Sequence, residues 1–383
     1  MTPMRRLELE PGLHPPVIAI ATQCFGPDIG GVEALMTALT DELARSGARV
    51  EVFADHIRLR GLSELVRSYP IHRYSLWRPV RRALKRRALA AATRRDPIVG
   101  VFTDSWKSVA AVPAGVRPIA TLAHGTEFPL AATREKAERI AKALARTRTI
   151  IASSHYTAGL VAPYLRDAAT RIVVINPPLP ALPAPEPDAL AKMRAIIAGR
   201  HPAITTLARL EPRKGLDSVI AALPRLKTRH PDLVYLVAGA GGDLERLRAL
   251  ATECGVSDSV VYLGPVTDPQ LKAALLTSSD VYAMPSRRVG DSVEGFGIAY
   301  AEAAWYGLPA LAGGDGGAAD VVKDGQTGFV RDGSDPQAIS QALCELLDDA
   351  QLRTRMGAAA ATFVRENLSW RSALPRYLAA LGL

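Results

Sequence analysis

Cysteine is scarce in this chain. Cys24, Cys254 and Cys344 are the only three in 383 residues, and no two of them have the spacing of a zinc or redox motif. The expectation is a reducing, cytoplasmic protein without a zinc site. Aromatic residues make up only 5% of the chain, while alanine and leucine are abundant, which favours helices packed on sheets over an all-β architecture. Long apolar runs are missing too. No stretch reaches bilayer-spanning length, and Arg5 and Arg6 are followed by no apolar signal core before Pro15. Residues 1–15 read as a Pro-rich leader. Acid is nearly absent from one region: between Arg58 and Arg95 twelve cations stand against the single acid Glu64.

What is present is an alternation of short apolar strands and helices, run through twice. The 48% hydrophobic content of 383 residues can fill two ordinary cores. Strands are expected at Val17 to Ala21, Arg49 to Ala54, Pro97 to Thr103, Ile119 to Leu122, Thr149 to Ala152 and Arg171 to Ile175. The first is followed by a turn over Phe25 to Glu33 that holds Gly30 and Gly31 and opens a helix. Residues 176–187 contain six prolines, which neither a helix nor a central strand tolerates. This stiff break sets the expected domains: residues 1–182, then residues 183–368, with a last helix over 369–383 packing back onto the first. In the second domain strands are expected at Ala203 to Leu207, Leu233 to Ala238, Val260 to Leu263 and Asp280 to Met284. The fold class is therefore α/β with two Rossmann-like parallel-sheet domains.

Parallel strands place the loops after them on one edge, where such proteins bind ligands. On that edge the second domain would gather Arg209, Lys214, Gly241, Val266 and Glu294. The segment after Met284 is the most informative. A loop from Pro285 carries Glu294, Gly295, Phe296 and Gly297, and an unbroken helix follows from Ile298 with Glu302 inside it. The first amides of a helix lack partners within it and form a ready phosphate site. Acids beside such a site suit sugar hydroxyls, and the cations Arg209 and Lys214 suit a diphosphate. In the first domain His124 lies just past a strand's carboxyl end and is a candidate site residue, although a lone histidine is more often structural.

The basic region offers a different function. Trp77, Val80, Leu84, Ala88 and Ala91 recur at helical spacing with arginines around them, so a basic amphipathic helix over residues 77–93 could lie on an anionic bilayer. The alternative is a solvated surface helix. No aromatic stacking set or recognition motif accompanies the charge, so nucleic acid is not an expected partner.

The pattern Arg209-x-x-x-x-Lys214-Gly215, then Glu294-Gly-Phe-Gly-Ile-x-x-x-Glu302-Ala303, then Gly307-x-Pro309, resembles the donor site of retaining glycosyltransferases of family 4. The insert Arg287 to Val293 resembles their phosphatidylinositol mannosyltransferase branch. The resemblance covers the second half of the chain and rests in the first half on Gly30, Gly31 and His124. It implies a GT-B fold, with two domains facing across a cleft and a nucleotide sugar as co-substrate rather than a resident cofactor. The implied reaction moves a hexose, mannose from GDP-mannose, to a lipid or glycan acceptor at the inner face of the cell membrane. By similarity Arg209 and Lys214 bind the diphosphate, and the amides of Gly297 and Ile298 cap it. Glu294 contacts the sugar, Glu302 the ribose, Val266 lies by the base, and Gly31 leaves room for phosphate or acceptor. His124 approaches sugar and acceptor. Neither a protein nucleophile nor a metal is implied, and no Asp-x-Asp motif stands in the site segments. Asp320 departs from the glutamate usual in the family. A UDP-sugar transferase with a soluble or polysaccharide-precursor acceptor, a nucleotide-sugar epimerase and a non-catalytic peripheral membrane protein are the alternatives.

Overall fold

The computed structural model describes residues 16–27, 30–55, 67–166 and 169–383. The leader 1–15, Asp28 and Ile29 of the Gly-rich turn, and Arg58, Arg60 and Glu64 of the basic region lie outside them. The chain divides into two compact units. One holds residues 1–152, 158–175 and 374–383, and the other holds 153–157 and 176–373.

The first unit contains β1 (Val17–Ala21), α1 (Gly31–Arg45), β2 (Arg49–Asp55), β3 (Ile71–Tyr74), α2 (Arg78–Arg95) and β4 (Ile98–Thr103). β5 (Ile119–Ala123), α3 (Arg134–Leu144), β6 (Thr149–Ala152), most of α4 (His155–Val161) and β7 (Arg171–Val174) complete it. The strands form one parallel sheet in the order β3-β2-β1-β4-β5-β6-β7. The order reverses between β1 and β4, which makes their carboxyl ends the switch point where open α/β sheets bind ligands. β3 has no counterpart among the sequence expectations. Its four residues include His72 and Arg73 and are only half-buried, so it lacks the apolar run that marks an inner strand.

The second unit contains α5 (Pro187–Ile197), β8 (Ala203–Leu207), α6 (Leu216–Lys227), β9 (Val234–Ala238), α7 (Leu244–Glu253), β10 (Val260–Gly264) and α8 (Pro269–Thr277). It continues with β11 (Val281–Met284), α9 (Ile298–Trp305), β12 (Ala310–Gly313), β13 (Gly328–Arg331), α10 (Pro336–Asp348) and α11 (Ala350–Asn367). A last helix, α12 (Trp370–Leu381), carries the chain back into the first unit. There the ring of Tyr377 meets Phe102 edge-on at 6.1 Å, and Leu381 covers Gly100. The second sheet is again parallel, in the order β10-β9-β8-β11-β12-β13, with its switch point between β8 and β11.

Alternation along the strands divides the second core in two. Val281 and Ala283 of β11 join Tyr235, Val237, Leu223 and Leu343 on one face. Tyr282 and Met284 join Tyr300, Leu308 and Val364 on the other. Helix starts are set by short polar caps followed by proline. Asp335 accepts from the amides of Gln337 and Ala338 ahead of α10, and Asp268 accepts from Gln270 ahead of α8. Each such cap contributes about 1 kcal/mol. Among the described residues no helix is long and apolar enough to cross a membrane.

The basic helix is turned differently from its expected stripe. Lys85, Leu89 and Ala92 are the buried residues of α2, and Trp77 stands just before the helix, 70% exposed. The cause is Asp55 at the end of β2, which holds an ion pair with the Lys85 ammonium at 2.5 Å and with Arg81 at 2.9 Å. A buried carboxylate needs a cation, so a lysine occupies a position that the hydrophobic pattern assigns to solvent.

Candidate functional site

On the carboxyl edge of the second sheet, the loop after β8 and the loop after β11 meet at the switch point. Pro212–Lys214 form one turn of 3-10 helix that ends at Gly215, and Lys214 is thereby carried inward to 9% exposure. Its ammonium is paired with Oε2 of Glu294. The same oxygen takes Arg213 Nη1 at 3.2 Å, while Arg213 Nε donates to Glu211 at 2.8 Å. Burial acts to lift the Glu294 carboxyl, but Lys214 and Arg213 outweigh it and hold the group below the ordinary carboxylate range. Burial lowers the Lys214 ammonium from its ordinary value, with Glu294 opposing the shift and Arg213 reinforcing it.

Arg209, the expected diphosphate ligand, stands at the edge of this cluster and joins it through Glu211. Its side chain is 71% exposed and pairs with Glu211 at 2.7 Å. Arg213 holds the inner position instead.

α9 begins at Gly297, whose φ of +91° is in the left-handed region and whose missing Cβ would lie 2.4 Å from the ring of Tyr300. The amide of Tyr300 turns back to the carbonyl of Gly297 at 3.0 Å. The amides of Gly297, Ile298 and Ala299 have no acceptor among the described residues. This helix start can therefore accept an anion beside the Lys214 and Arg213 cations. Phe296 points its ring into the core at 4% exposure and Ile298 packs against the same cluster, so both offer the site only main chain. Gly241, in the loop after β9, runs against the carbonyl of Leu210, which a Cβ would approach to 2.2 Å.

Glu302 lies one turn into α9, where Lys272 of α8 pairs with its Oε1. Val266, just past β10, is half-buried against the cluster beneath α5 and α8. Asp320, which departs from the family pattern, is occupied. Its Oδ2 accepts from the backbone of His155 at 2.9 Å and from Asn176 at 2.9 Å, and lies 3.0 Å from the His155 ring. Nearby, Ser154 donates to the carbonyl of Gly295 at 2.6 Å, which fixes the loop that leads to Gly297.

His124 and Gly31 belong to the first unit. Gly31 is the first residue of α1. Nε2 of His124 lies 3.0 Å from the carbonyl of Asp104. A carbonyl only accepts, so Nε2 carries the proton and Nδ1 is left to accept one.

Two adjoining regions match known families. Residues 29–181 match the family model described as Glycosyltransferase Family 4, and residues 192–363 match that of Glycosyl transferases group 1.

The chain belongs to these glycosyltransferases.

Solved structures place the glycosyltransferase in the GT-B fold. A glycosyltransferase from Rickettsia africae superposes with a TM-score of 0.77 at 19% identity, covering 95% of this chain and 97% of its own. HepE of Anabaena in complex with UDP does so with 0.76 at 19% identity, covering 96% and 99%. Similarity to proteins of established activity is higher but shorter. A GDP-mannose-dependent alpha-(1-6)-phosphatidylinositol monomannoside mannosyltransferase of Mycolicibacterium smegmatis is 42% identical over 192 residues, 49% of this chain and 50% of that protein. A D-inositol 3-phosphate glycosyltransferase of Corynebacterium efficiens is 35% identical over 173 residues, 44% of this chain and 39% of that protein. The matched region spans half or less of each of these two relatives.

Two residues of the glycosyltransferase's charge cluster are absent from the sequence expectations. Arg213 follows Pro212 in a run of cations in which sequence alone does not show which side chain turns inward. Lys272 sits in the middle of α8, and only the packing of α8 beside α9 brings it to Glu302.

Proposed function

We propose that this glycosyltransferase moves mannose from GDP-mannose to a hydroxyl of a lipid-linked acceptor, with retention of anomeric configuration and without a metal ion. The observation that carries the donor half is the pairing of Lys214 and Arg213 on Glu294 beside three free amides of α9. Two cations and a helix start can hold a diphosphate and stabilise it as a leaving group, which is the task a divalent ion performs elsewhere. Both cations use Oε2 of Glu294, so Oε1 is left for the hydroxyls of the transferred sugar. Glu302 takes the ribose and Val266 lies by the base, while Arg209 closes on the diphosphate from its exposed position. In the reaction the acceptor oxygen bonds to the anomeric carbon as the bond to the phosphate oxygen breaks, and that phosphate oxygen takes the acceptor's proton. His124 contacts the sugar and acceptor through its free Nδ1.

The names of the mycobacterial relatives support mannose and a phosphoinositide acceptor. A lipid acceptor also agrees with Leu76 and Trp77, which are 61% and 70% exposed beside the exposed Arg78, Arg82 and Arg86. An apolar pair ringed by arginines suits an anionic bilayer, at the inner face of the cell membrane in this reading. A UDP-sugar donor is the second reading, favoured by structural neighbours solved with UDP.

A thermal-shift panel of GDP-, UDP- and ADP-sugars separates the donors. A nucleotide sugar at a hundred times its Kd stabilises the folded chain by about 2.7 kcal/mol. GDP-mannose is expected to give the largest shift. A larger shift with any UDP-sugar would replace the donor assignment.

A further inference from the structure

The turn that carries Arg213 and Lys214 is held from outside by one residue of the loop after β11. The amide of Arg287 donates to the carbonyl of Arg213 at 2.8 Å. Its guanidinium crosses to the first turn of α6 and grips Asp217 as a fork, with Nη1 on Oδ1 at 2.8 Å and Nη2 on Oδ2 at 2.6 Å. Nη1 also donates to Ser218 Oγ at 3.2 Å, and Ser218 donates in turn to the carbonyl of Gly333 at 2.9 Å. The turn is thus bracketed, by main chain at Arg213 and by side chain at Asp217. Gly215 packs tightly on the same loop, since a Cβ there would lie 2.0 Å from the carbonyl oxygen of Pro285.

Charge balance alone does not call for Arg287. Asp217 has a second cation, Arg246 of α7 at 3.1 Å, which is itself forked on Asp243. The side chains of Arg287 and Asp217 are only 17% and 16% exposed. An ion pair taken that far out of water adds little net stability over an apolar contact of its size, whereas a fork fixes two planes against each other. We propose that Arg287 and Asp217 are a positioning pair for the donor cations, setting Lys214 and Arg213 against Glu294 and the start of α9; this rests on the reading in which those cations hold the donor diphosphate. Arg287 and Glu294 belong to one loop, so the fork ties that loop to the turn opposite it. A shift of about 1 Å in a group that stabilises a leaving diphosphate can cost about a hundredfold in rate.

The test compares Arg287→Lys with Arg246→Lys in the full chain. Each keeps a positive charge and takes one guanidinium from Asp217, but only the first removes the fork that brackets the turn. The probe is whichever of GDP and UDP binds wild type more tightly in calorimetry, with kcat and acceptor KM measured for the matching sugar donor below the unfolding midpoint of every variant. Arg287→Lys should weaken nucleotide binding and lower kcat, each about tenfold, with acceptor KM unchanged. Arg246→Lys should match wild type in all three. A pair that only stabilises the fold would lower the unfolding midpoint of Arg287→Lys and leave its nucleotide affinity and kcat at wild type. That result would overturn the proposal, and so would equal losses in the two variants. Lys214→Ala separates this failure from that of the donor reading. If Lys214→Ala keeps wild-type nucleotide affinity, the cations do not hold the diphosphate, and the reading and the pair both fall. If it loses affinity while Arg287→Lys does not, the pair fails and the reading stands.

Discussion

Lys214 and Arg213 share a single oxygen of Glu294, so two cations from the loop after β8 are bound to one carboxylate from the loop after β11. The shared oxygen orients both cations beside α9, and the two cations keep the buried carboxylate charged.

Removing either end of this pair should abolish transfer. Lys214→Ala and Glu294→Ala are each expected to lower kcat by at least about a hundredfold, the effect of losing one preorganised charge at a developing anion. A peripheral membrane protein without catalysis would lose nothing from these changes. Leaving one member of a buried pair alone also costs about 3 to 5 kcal/mol, which chemical denaturation of Glu294→Ala would register. Kinetics should therefore be compared at a temperature where both variants remain folded.

Gly297→Ala tests the helix start. The φ of +91° and the Tyr300 ring leave no room for a methyl group, so the turn must shift. A strain of about 1 to 3 kcal/mol is expected in the denaturation midpoint, with weaker GDP binding by calorimetry. Unchanged GDP affinity would show that the α9 amides do not hold the diphosphate.

Acid should weaken the second unit in a defined way. Glu294 and Asp217 are both held below their ordinary values of 4.5 and 3.8, and in each the cations outweigh burial: Lys214 and Arg213 at Glu294, Arg287 and Arg246 at Asp217. A carboxyl lowered on folding contributes stability that is fully present above its unfolded value and is lost as pH falls toward the folded one. Stability measured by urea unfolding should therefore decline below about pH 4.5, and Asp217→Asn should flatten that decline. An equally steep decline in the variant would remove Asp217 from the account.

Lys272 and Glu302 predict a split between binding and turnover. Glu302→Gln keeps the shape of the side chain but removes its charge and the ion pair with Lys272. If Glu302 holds the ribose, the donor KM should rise about tenfold with kcat little changed, as for a contact made equally in ground and transition states. A fall in kcat alone would assign it elsewhere.

Much of this site is legible in the chain because it is built from strand ends. β8, β9, β10 and β11 are apolar runs that stop within two residues at glycine, proline or charge, and parallel topology then fixes which loops share an edge. The fate of each cation is a matter of packing. Arg209 and Arg213 have the same chemistry, four residues apart, and only the 3-10 turn at Pro212 determines that Arg213 goes inward. The orientation of α2 is hidden for the same reason, since the hydrophobic pattern cannot register that Asp55 draws Lys85 into the interior. β12 has no expected counterpart because Ala310 to Gly313 are too small to look like a strand, although they are buried in the sheet.

Retaining mannosyl transfer driven by protein charge is tested most directly by proton NMR of the product formed from GDP-mannose and a phosphoinositide acceptor with excess EDTA present. An α-linked mannoside, absent with Lys214→Ala, is the predicted result. A β-linked product, transfer that needs a divalent cation, or release of a free sugar nucleotide isomer without acceptor would contradict it.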